Sequence, residues 1–380
     1  MTLILGRHDY VETEKTGSLL HTDSFFLGQY DKEVHGDWTN IDERNFERCS
    51  LMERMNLQRA NFFGCFACFL PFLGEFIGTM LTDWEQIPSI KLGDFTLEIE
   101  LSTPNAELQE VARKELRESP EIQKEAIERL KELLKDETDL KVPLDNEAWL
   151  IRFLRPCKYY PESALKLVKN YYSFKVKHAN VYDSLKPSRE RNIFEQNILT
   201  VLPNRDQLGR RILIIELGKK WKHHKCNLDE VFKGCVLYLE AAMLEPSTQI
   251  AGAVVIFDMD GLSLQQTWQF NPPFAKRIVD WLQDAMPLRI KNIHVVNQPY
   301  IFNVVFALFK PFLREKLKSR IIFHGADRKS LHQYLTPKCL LSCYGGTLQI
   351  PRVTGAEWLE LLMMCDKEYD AINSYGYKKQ

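Results

Sequence analysis

Three residue patterns in this chain have the types and spacing for chemistry. Cys65-Phe-Ala-Cys68 has the spacing of a metal or redox pair, His223-His224 lies beside Cys226, and Asp258 with Asp260 could act as paired carboxylates. None of them goes far. The CxxC pair sits in an apolar run with no second ligand pair at zinc spacing, which reads as packing. His223, His224 and Cys226 lie in a lysine-rich loop and read as a solvated turn. Asp258 and Asp260 stand at a strand end before Gly261, where such side chains cap the backbone of a turn. The GxGxxG, GxxxxGK[ST], GxSxG and HExxH patterns are missing, and Ser263 in "DGLSL" lacks the glycines of a strained nucleophile turn. The expectation is a protein that is not an enzyme and that carries no metal and no cofactor.

The remaining chemistry is cationic charge beside apolar bulk. Arg289 and Lys291 open the stretch "MPLRIKNIHVVNQPYIFNVVFALFKPF". Within it Phe302, Val305, Phe306, Phe309 and Phe312 share one broad helical face, while Ile301, Val304 and Leu308 occupy another. A helix apolar nearly all round is either a central core helix or one that turns one face to a cavity and another to a membrane. Period alone does not choose. The following "KPFLREKLKSR" carries Lys310, Arg314, Lys316, Lys318 and Arg320 against only Glu315, and i to i+4 steps predict two basic rows on one short helix. At roughly 1 kcal/mol per cation near an anionic bilayer, five or six give a few kcal/mol, enough to visit a membrane and too little to stay.

These groups must be held by folded structure, and the totals permit it. The 380 residues leave room for two or three domains, with 45% apolar and 27% charged residues. A net charge of -1 argues against a nucleic-acid partner, so any basic surface is local. Nine cysteines scattered from Cys49 to Cys365 suggest a reducing, cytoplasmic setting rather than a disulfide framework. No cleavable signal peptide is visible, because Arg7 and Asp9 interrupt the first apolar residues.

Residues 1 to about 60 show no clear period and read as weakly ordered. Residues 62–81, "FFGCFACFLPFLGEFIGTML", are long enough for a membrane span, but Pro71, three glycines and the charge of the flanks argue against one. A membrane-surface anchor, a packed segment and sequence outside the working protein stay open. From Asn105 to Lys177 the pattern is amphipathic helix. Ile127, Leu130 and Leu134 share a face, Pro120 with Ser119 separates two helices, "NEAWLIRFLRPCKYY" is deeply buried, and "PESALKLVKNYYSFKVKH" is a further helix. After residue 190 strands and helices alternate. "NILTVL", "RILIIEL", "GAVVIFD", "NIHVVN" and "RIIFH" read as strands, with "PNRDQLGR" a turn. Leu228–Leu244, Pro272–Met286 and Tyr300–Lys318, broken at Pro311, read as helices. The alternation predicts an open α/β sheet that is mainly parallel.

From about residue 97 to 350 the chain resembles the CRAL-TRIO lipid-binding family, in particular its animal branch of alpha-tocopherol transfer protein, clavesin and cellular retinaldehyde-binding protein. The stretches "LIRFLRPCKYYPESALKLVKNYYSFK", "RDQLGRRILI", "GAVVIFDMDGL", "MPLRIKNIHVVNQPYIFNVVFALFKPFLREKLKSRIIFHG" and "LSCYGG" carry the resemblance, in the family's order and spacing. It implies an all-helical N-terminal module (97–187) packed on an α/β lipid-binding domain (188–350). It leaves an N-terminal extension of unknown role (1–96) and a C-terminal tail (351–380). It makes the helix from about Tyr300 a mobile gate over an apolar pocket. The family's pocket wall falls on Phe232, Cys235, Val236, Leu239, Val255, Phe257, Leu282, Leu288, Ile290 and Ile293, and reaches the gate at Phe302, Val305 and Phe306. Its basic cleft, which binds phosphoinositide headgroups such as phosphatidylinositol bisphosphate, falls on Arg155, Arg289, Lys291, Lys316 and Arg320. Cys235 and Leu239 replace the family's serines and Trp281 is larger than its tocopherol-binding counterpart, so tocopherol is not assumed as cargo. The implied function is non-enzymatic transfer of a small hydrophobic ligand by a monomer that visits endosomal or other phosphoinositide-bearing membranes. The alternative is a phosphoinositide-sensing trafficking adaptor whose pocket ligand is incidental.

Overall fold

Alternating strand and helix signals after residue 199 resolve into a five-stranded sheet of order β4-β5-β6-β7-β8. Its strands are β4 (Leu199–Arg205), β5 (Arg211–Glu216), β6 (Ala253–Asp258), β7 (Ile290–Val296) and β8 (Ile321–Gly325). Only the β4–β5 pair is antiparallel. The fold is a computed structural model that describes residues 80–82, 86–351 and 353–378. Residues 1–79, with the pair Cys65 and Cys68 and nearly all of the apolar stretch 62–81, lie outside the described residues.

The unbroken apolar run of β6 follows from cover on both faces. Ala253 and Val255 belong to the larger core, and Val254 and Ile256 to a smaller one on the other side of the sheet. Between β6 and β7 the register slips: Ala253 pairs with Ile290 but Val254 pairs with Asn292, which leaves Lys291 as an extra residue. This bulge lets Ile290 and then Ile293 both reach the larger core. Gly252 sits at a close approach just before β6. Its φ is +84°, and a Cβ there would lie 2.3 Å from the Arg289 carbonyl oxygen.

The helical module comprises α1 (Ala106–Leu116), α2 (Pro120–Lys135), α3 (Glu147–Leu154) and α4 (Pro161–Lys177). Asn105, Ser119 and Asn146 cap the first three by accepting from backbone N–H groups one turn on. Ile127, Leu130 and Leu134 of α2 share a core with Trp149 and Phe153 of α3, so the predicted face is the buried one. Before the module, β1 (Ser89–Leu92) and β2 (Phe95–Glu98) form a hairpin across residue 96, and Leu97, Ile99 and Leu101 enter the larger core.

Above the larger core lie α5 (Leu228–Leu244), α6 (Pro246–Ala251), α7 (Leu264–Thr267), α8 (Pro272–Asp280), α9 (Phe302–Phe309) and α10 (Glu315–Lys318). Two helices differ from expectation. The one expected over Pro272–Met286 widens into a π-helical turn at Trp281–Ala285. The one expected over Tyr300–Lys318 spans only Phe302–Phe309 as α-helix, because Pro311 sits in a 3-10 turn and Leu313 is extended. Only Glu315–Lys318 is helical beyond it, so the two basic rows do not form. Residues 355–374, in the expected tail, build α11 (Gly355–Met364) and α12 (Asp366–Ser374). β9 (Gly376–Tyr377) then pairs with β3 (Leu140–Lys141) of the module. Glu368, fully buried on α12, accepts from the backbone N–H of Leu81 and of Thr82 and so fastens the start of the described chain.

Candidate functional site

A cavity lies between the sheet and α5, α8 and α9. It encloses about 1260 Å3 of space free of atoms, open solvent at its mouth included. The floor comes from inward residues of β5, β6 and β7, among them Leu213, Val255, Phe257, Ile290 and Ile293. One wall is α5, whose helical spacing brings Phe232, Cys235 and Leu239 to the cavity. The π turn brings in Trp281 and Leu282, with Trp281 edge-on to Phe232 at 5.1 Å between ring centres. The lid consists of Phe270, Phe274, Ile278 and Phe309, with Phe270 and Phe309 at 6.4 Å.

Of the expected pocket residues, Phe232, Cys235, Leu239, Val255, Phe257, Leu282, Leu288, Ile290 and Ile293 line this cavity. Val236, Phe302, Val305 and Phe306 do not. Val236, Phe302 and Val305 are buried in the surrounding core, and Phe306 packs on Phe323 at 5.0 Å. On α9, the cavity residue is Phe309, one turn beyond Phe306. Ile99 of the hairpin and Trp358 of α11 also reach the cavity, from segments that gave no local signal of it.

The cavity is apolar except at one end, where Arg211 and Glu245 line it. Arg211 donates to both oxygens of Glu245 (2.9 and 2.6 Å), and Arg205 donates to the same carboxylate at 3.0 Å. Thr248 and the backbone N–H of Glu100 donate to it as well. Burial works against the Glu245 charge, and the Arg211 and Arg205 guanidiniums outweigh it and hold the carboxyl at about 2. The Cys235 thiol, buried with no cation beside it, is pushed up to about 12 and stays protonated.

The five expected cleft cations gather behind β7. Leu288 and Ile290 line the cavity, whereas the intervening Arg289 and the following Lys291 do not and meet Glu115 instead. Arg289 donates to the Ile250 carbonyl at 2.8 Å, and Arg320 to the Ile290 carbonyl at 2.6 Å. Arg155 donates to Gln249 at 2.5 Å, which joins it to the same helix α6. Lys316 is exposed and close enough to Cys157, beside Arg155, for its charge to act on that thiol. Arg210 also bears on Lys291, although Asp206 holds it in a buried pair.

Two carboxylates that the sequence did not single out complete the cleft. Glu115 meets Arg289 at 2.5 Å and Lys291 at 2.8 Å, and Glu118 meets Arg155 through both oxygens at 3.1 and 2.8 Å. Lys291 holds the Glu115 carboxyl down at about 2, and Arg289 adds to it. Lys291 is itself shifted down, first by burial and then by the like charge of Arg289. Both partners move the same way because the two cations lower Glu115 while burial, with Arg289 and Arg210 adding to it, lowers Lys291.

Among the described residues no helix is long and apolar enough to cross a membrane, and no cluster of His, Cys, Asp or Glu has the makings of a metal site. Apolar side chains do reach the surface beside the lid. Tyr300 is 91% exposed, Trp268 70% and Val304 54%, and they lie on or next to the adjoining helices α7 and α9.

Residues 195–346 match the CRAL/TRIO domain model. Alpha-tocopherol transfer protein-like of Homo sapiens is 36% identical over 259 residues, which are 68% of this chain and 75% of that protein. Clavesin-1 of Mus musculus is 31% identical over 271 residues, 70% of this chain and 75% of its own. The crystal structure of Sfh5 aligns over 55% of this chain and 79% of its own at 17% identity and a TM-score of 0.38. With more than a third of positions identical across three quarters of a relative, and a sheet, cavity and helical module as described, the chain belongs to the CRAL/TRIO domain family.

Proposed function

We propose that this protein carries a small hydrophobic molecule between membranes without covalent chemistry, and that its basic cleft binds phosphoinositide headgroups at the membrane it serves. The observation that carries the reading is the two-sided use of residues 288–291, which lead into β7. Leu288 and Ile290 wall an almost wholly apolar cavity, and Arg289 and Lys291, alternating with them, form the core of the cleft. The name of the alpha-tocopherol transfer protein-like relative agrees with a lipid as cargo.

The energetics ask for a gate. Hiding about 500 Å2 of lipid surface is worth on the order of 12 kcal/mol at ~25 cal/mol/Å2, so release through a closed lid would be slow. Helix α9 suits that part: it is eight residues long, ends at a 3-10 turn, and touches the cavity through Phe309. Tyr300, Trp268 and Val304 would meet the bilayer as the lid opens, and cleft cations bound to headgroups would favour the open state.

The test is lipid transfer between vesicles by the purified full chain, with and without phosphatidylinositol bisphosphate in the acceptor. Lipid extraction and native mass spectrometry would first identify the cargo. The proposal expects one apolar molecule per chain and a transfer rate raised by the phosphoinositide. Replacing Arg289, Lys291, Lys316 and Arg320 together with alanine should abolish the rise. An unchanged rate in that variant would sink the cleft, and binding to the vesicles without any transfer would favour an adaptor instead.

A further inference from the structure

The cleft is already occupied by its own chain. Glu115, in the last turn of α1, spans Arg289 and Lys291, the two cations on either side of Ile290 at the start of β7. We infer that Glu115 is a built-in stand-in for a phosphate group, and that a phosphomonoester binds by displacing it. The inference rests on the proposed cleft and adds to it a competitor that sets how strong an anion must be to enter.

The two acidic residues of the cleft are held differently. Glu118 and Arg155 form a two-pronged pair whose side chains are 14% and 11% exposed, and the guanidinium also bonds Gln249. That pair belongs to the architecture. The Glu115 side chain is 47% exposed and makes its two contacts through a single oxygen, Oε2. It can rotate into solvent without disturbing α1, because that helix is anchored by Leu108, Ala112 and Leu116 packed on Ile250 and Ala251. The chain reverses at Arg117, with φ +63°, whose guanidinium lies 4.3 Å from the Tyr160 ring centre, so the helix end is fixed while the Glu115 side chain is not. Arg289 keeps its position when Glu115 leaves, since its guanidinium also donates to the Ile250 carbonyl, while the Lys291 ammonium, on a backbone fixed at the start of β7, is released to meet the incoming anion. A phosphomonoester brings up to two charges and three acceptor oxygens where the carboxylate offers one oxygen. A singly charged lipid gains less from the exchange and is turned away.

The experiment measures binding of the full chain to phosphatidylcholine vesicles that contain phosphatidylinositol bisphosphate, to vesicles of equal charge made with phosphatidylserine, and to soluble inositol trisphosphate. Glu115→Gln keeps the shape and removes the charge. Glu107→Gln, which removes the same charge from the first turn of α1, is the control for general electrostatics. The expected result is a gain of about fivefold for Glu115→Gln over Glu107→Gln on the phosphoinositide vesicles, or ~1 kcal/mol at 1.4 kcal/mol per tenfold. On phosphatidylserine the two variants should be equal. A matching gain with inositol trisphosphate assigns the effect to free and lipid-borne phosphates alike, and a gain confined to vesicles assigns it to the lipid headgroup; either supports the competitor. Equal affinities of the two variants for every phosphate probe overturn it, while loss of wild-type binding on Arg289→Ala and Lys291→Ala would still uphold the cleft. If neither wild type nor Glu115→Gln binds any phosphate probe, the cleft and the competitor fall together.

Discussion

Gly252→Ala tests whether the cavity and the cleft hang on one close contact. The Gly252 backbone, at φ +84° and ψ -164°, lies in a region essentially closed to side-chain-bearing residues, and forcing alanine there costs about 1–3 kcal/mol. The added Cβ would also sit 2.3 Å from the Arg289 carbonyl oxygen and 3.2 Å from the Arg289 Cβ. Relief requires β6 and β7 to part at their first rung. That loosens the Ala253 N–H to Arg289 carbonyl bond of 2.9 Å, and the Arg211 N–H to Gly252 carbonyl bond of 3.2 Å beside it. Each lost bond adds about 1 kcal/mol. The expected loss is about 3 kcal/mol in urea unfolding. Vesicle binding should fall with it, because Arg289 moves with its carbonyl. The reasoning is refuted if Gly252→Ala unfolds within about 0.5 kcal/mol of wild type and still binds phosphoinositide vesicles normally.

Two further outcomes are expected. Leu239→Trp projects bulk into the cavity rather than into packed core, so native mass spectrometry should show lipid occupancy cut by half or more, with urea stability changed by less than about 1.5 kcal/mol. Glu245 contributes acid resistance: its folded value of about 2 lies below the ordinary carboxyl value of 4.5, so its stabilisation of about 3 kcal/mol is complete above pH ~4.5 and is lost as pH falls through about 2. Glu245→Gln should flatten the pH dependence of urea stability across that window, and an unchanged slope would remove Glu245 from the account.

What was legible in the sequence was local. Helix α5 begins where its apolar period does because Asn227 and Glu230 close a reciprocal cap in front of it. β6 could be placed because a strand covered on both faces has no reason to alternate. The separation of α1 from α2 could be read from Ser119 and Pro120, since each acts on its own backbone. The cavity was legible as far as the family likeness reached and as far as one element faced it, which is why Cys235 and Leu239 of α5 line it as expected. On α9 the same reasoning named Phe302, Val305 and Phe306, whereas Phe309 reaches the lumen. All of these lie on a helix apolar nearly all round, and period cannot say which face a neighbouring lid covers.

The parts that could not be read are made by contacts between distant segments. Ile99 and Trp358 meet in one cavity wall from positions 259 residues apart, and neither segment carries a pattern that differs from ordinary core. The Lys291 bulge leaves no mark on the strand, because it exists only as a mismatch of count between β6 and β7. Glu115 reads in sequence as one more exposed acid on an amphipathic helix. Its place between Arg289 and Lys291 depends on how α1 packs on Ile250 and Ala251, which no spacing encodes. The basic run 310–320 is the reverse case. There the sequence offered a regular pattern, and the chain broke it at Pro311 and Leu313, leaving Lys316 and Arg320 on different elements. The cleft therefore does not depend on a helical charge row. Its cations come from the α3 terminus, the start of β7, α10 and the lead into β8, and its three arginines are tied in place: Arg155 to the Gln249 side chain, Arg289 to the Ile250 carbonyl and Arg320 to the Ile290 carbonyl. Charge brought together in that way stays in place when a single counter-ion is removed, which is the property a displaceable Glu115 requires.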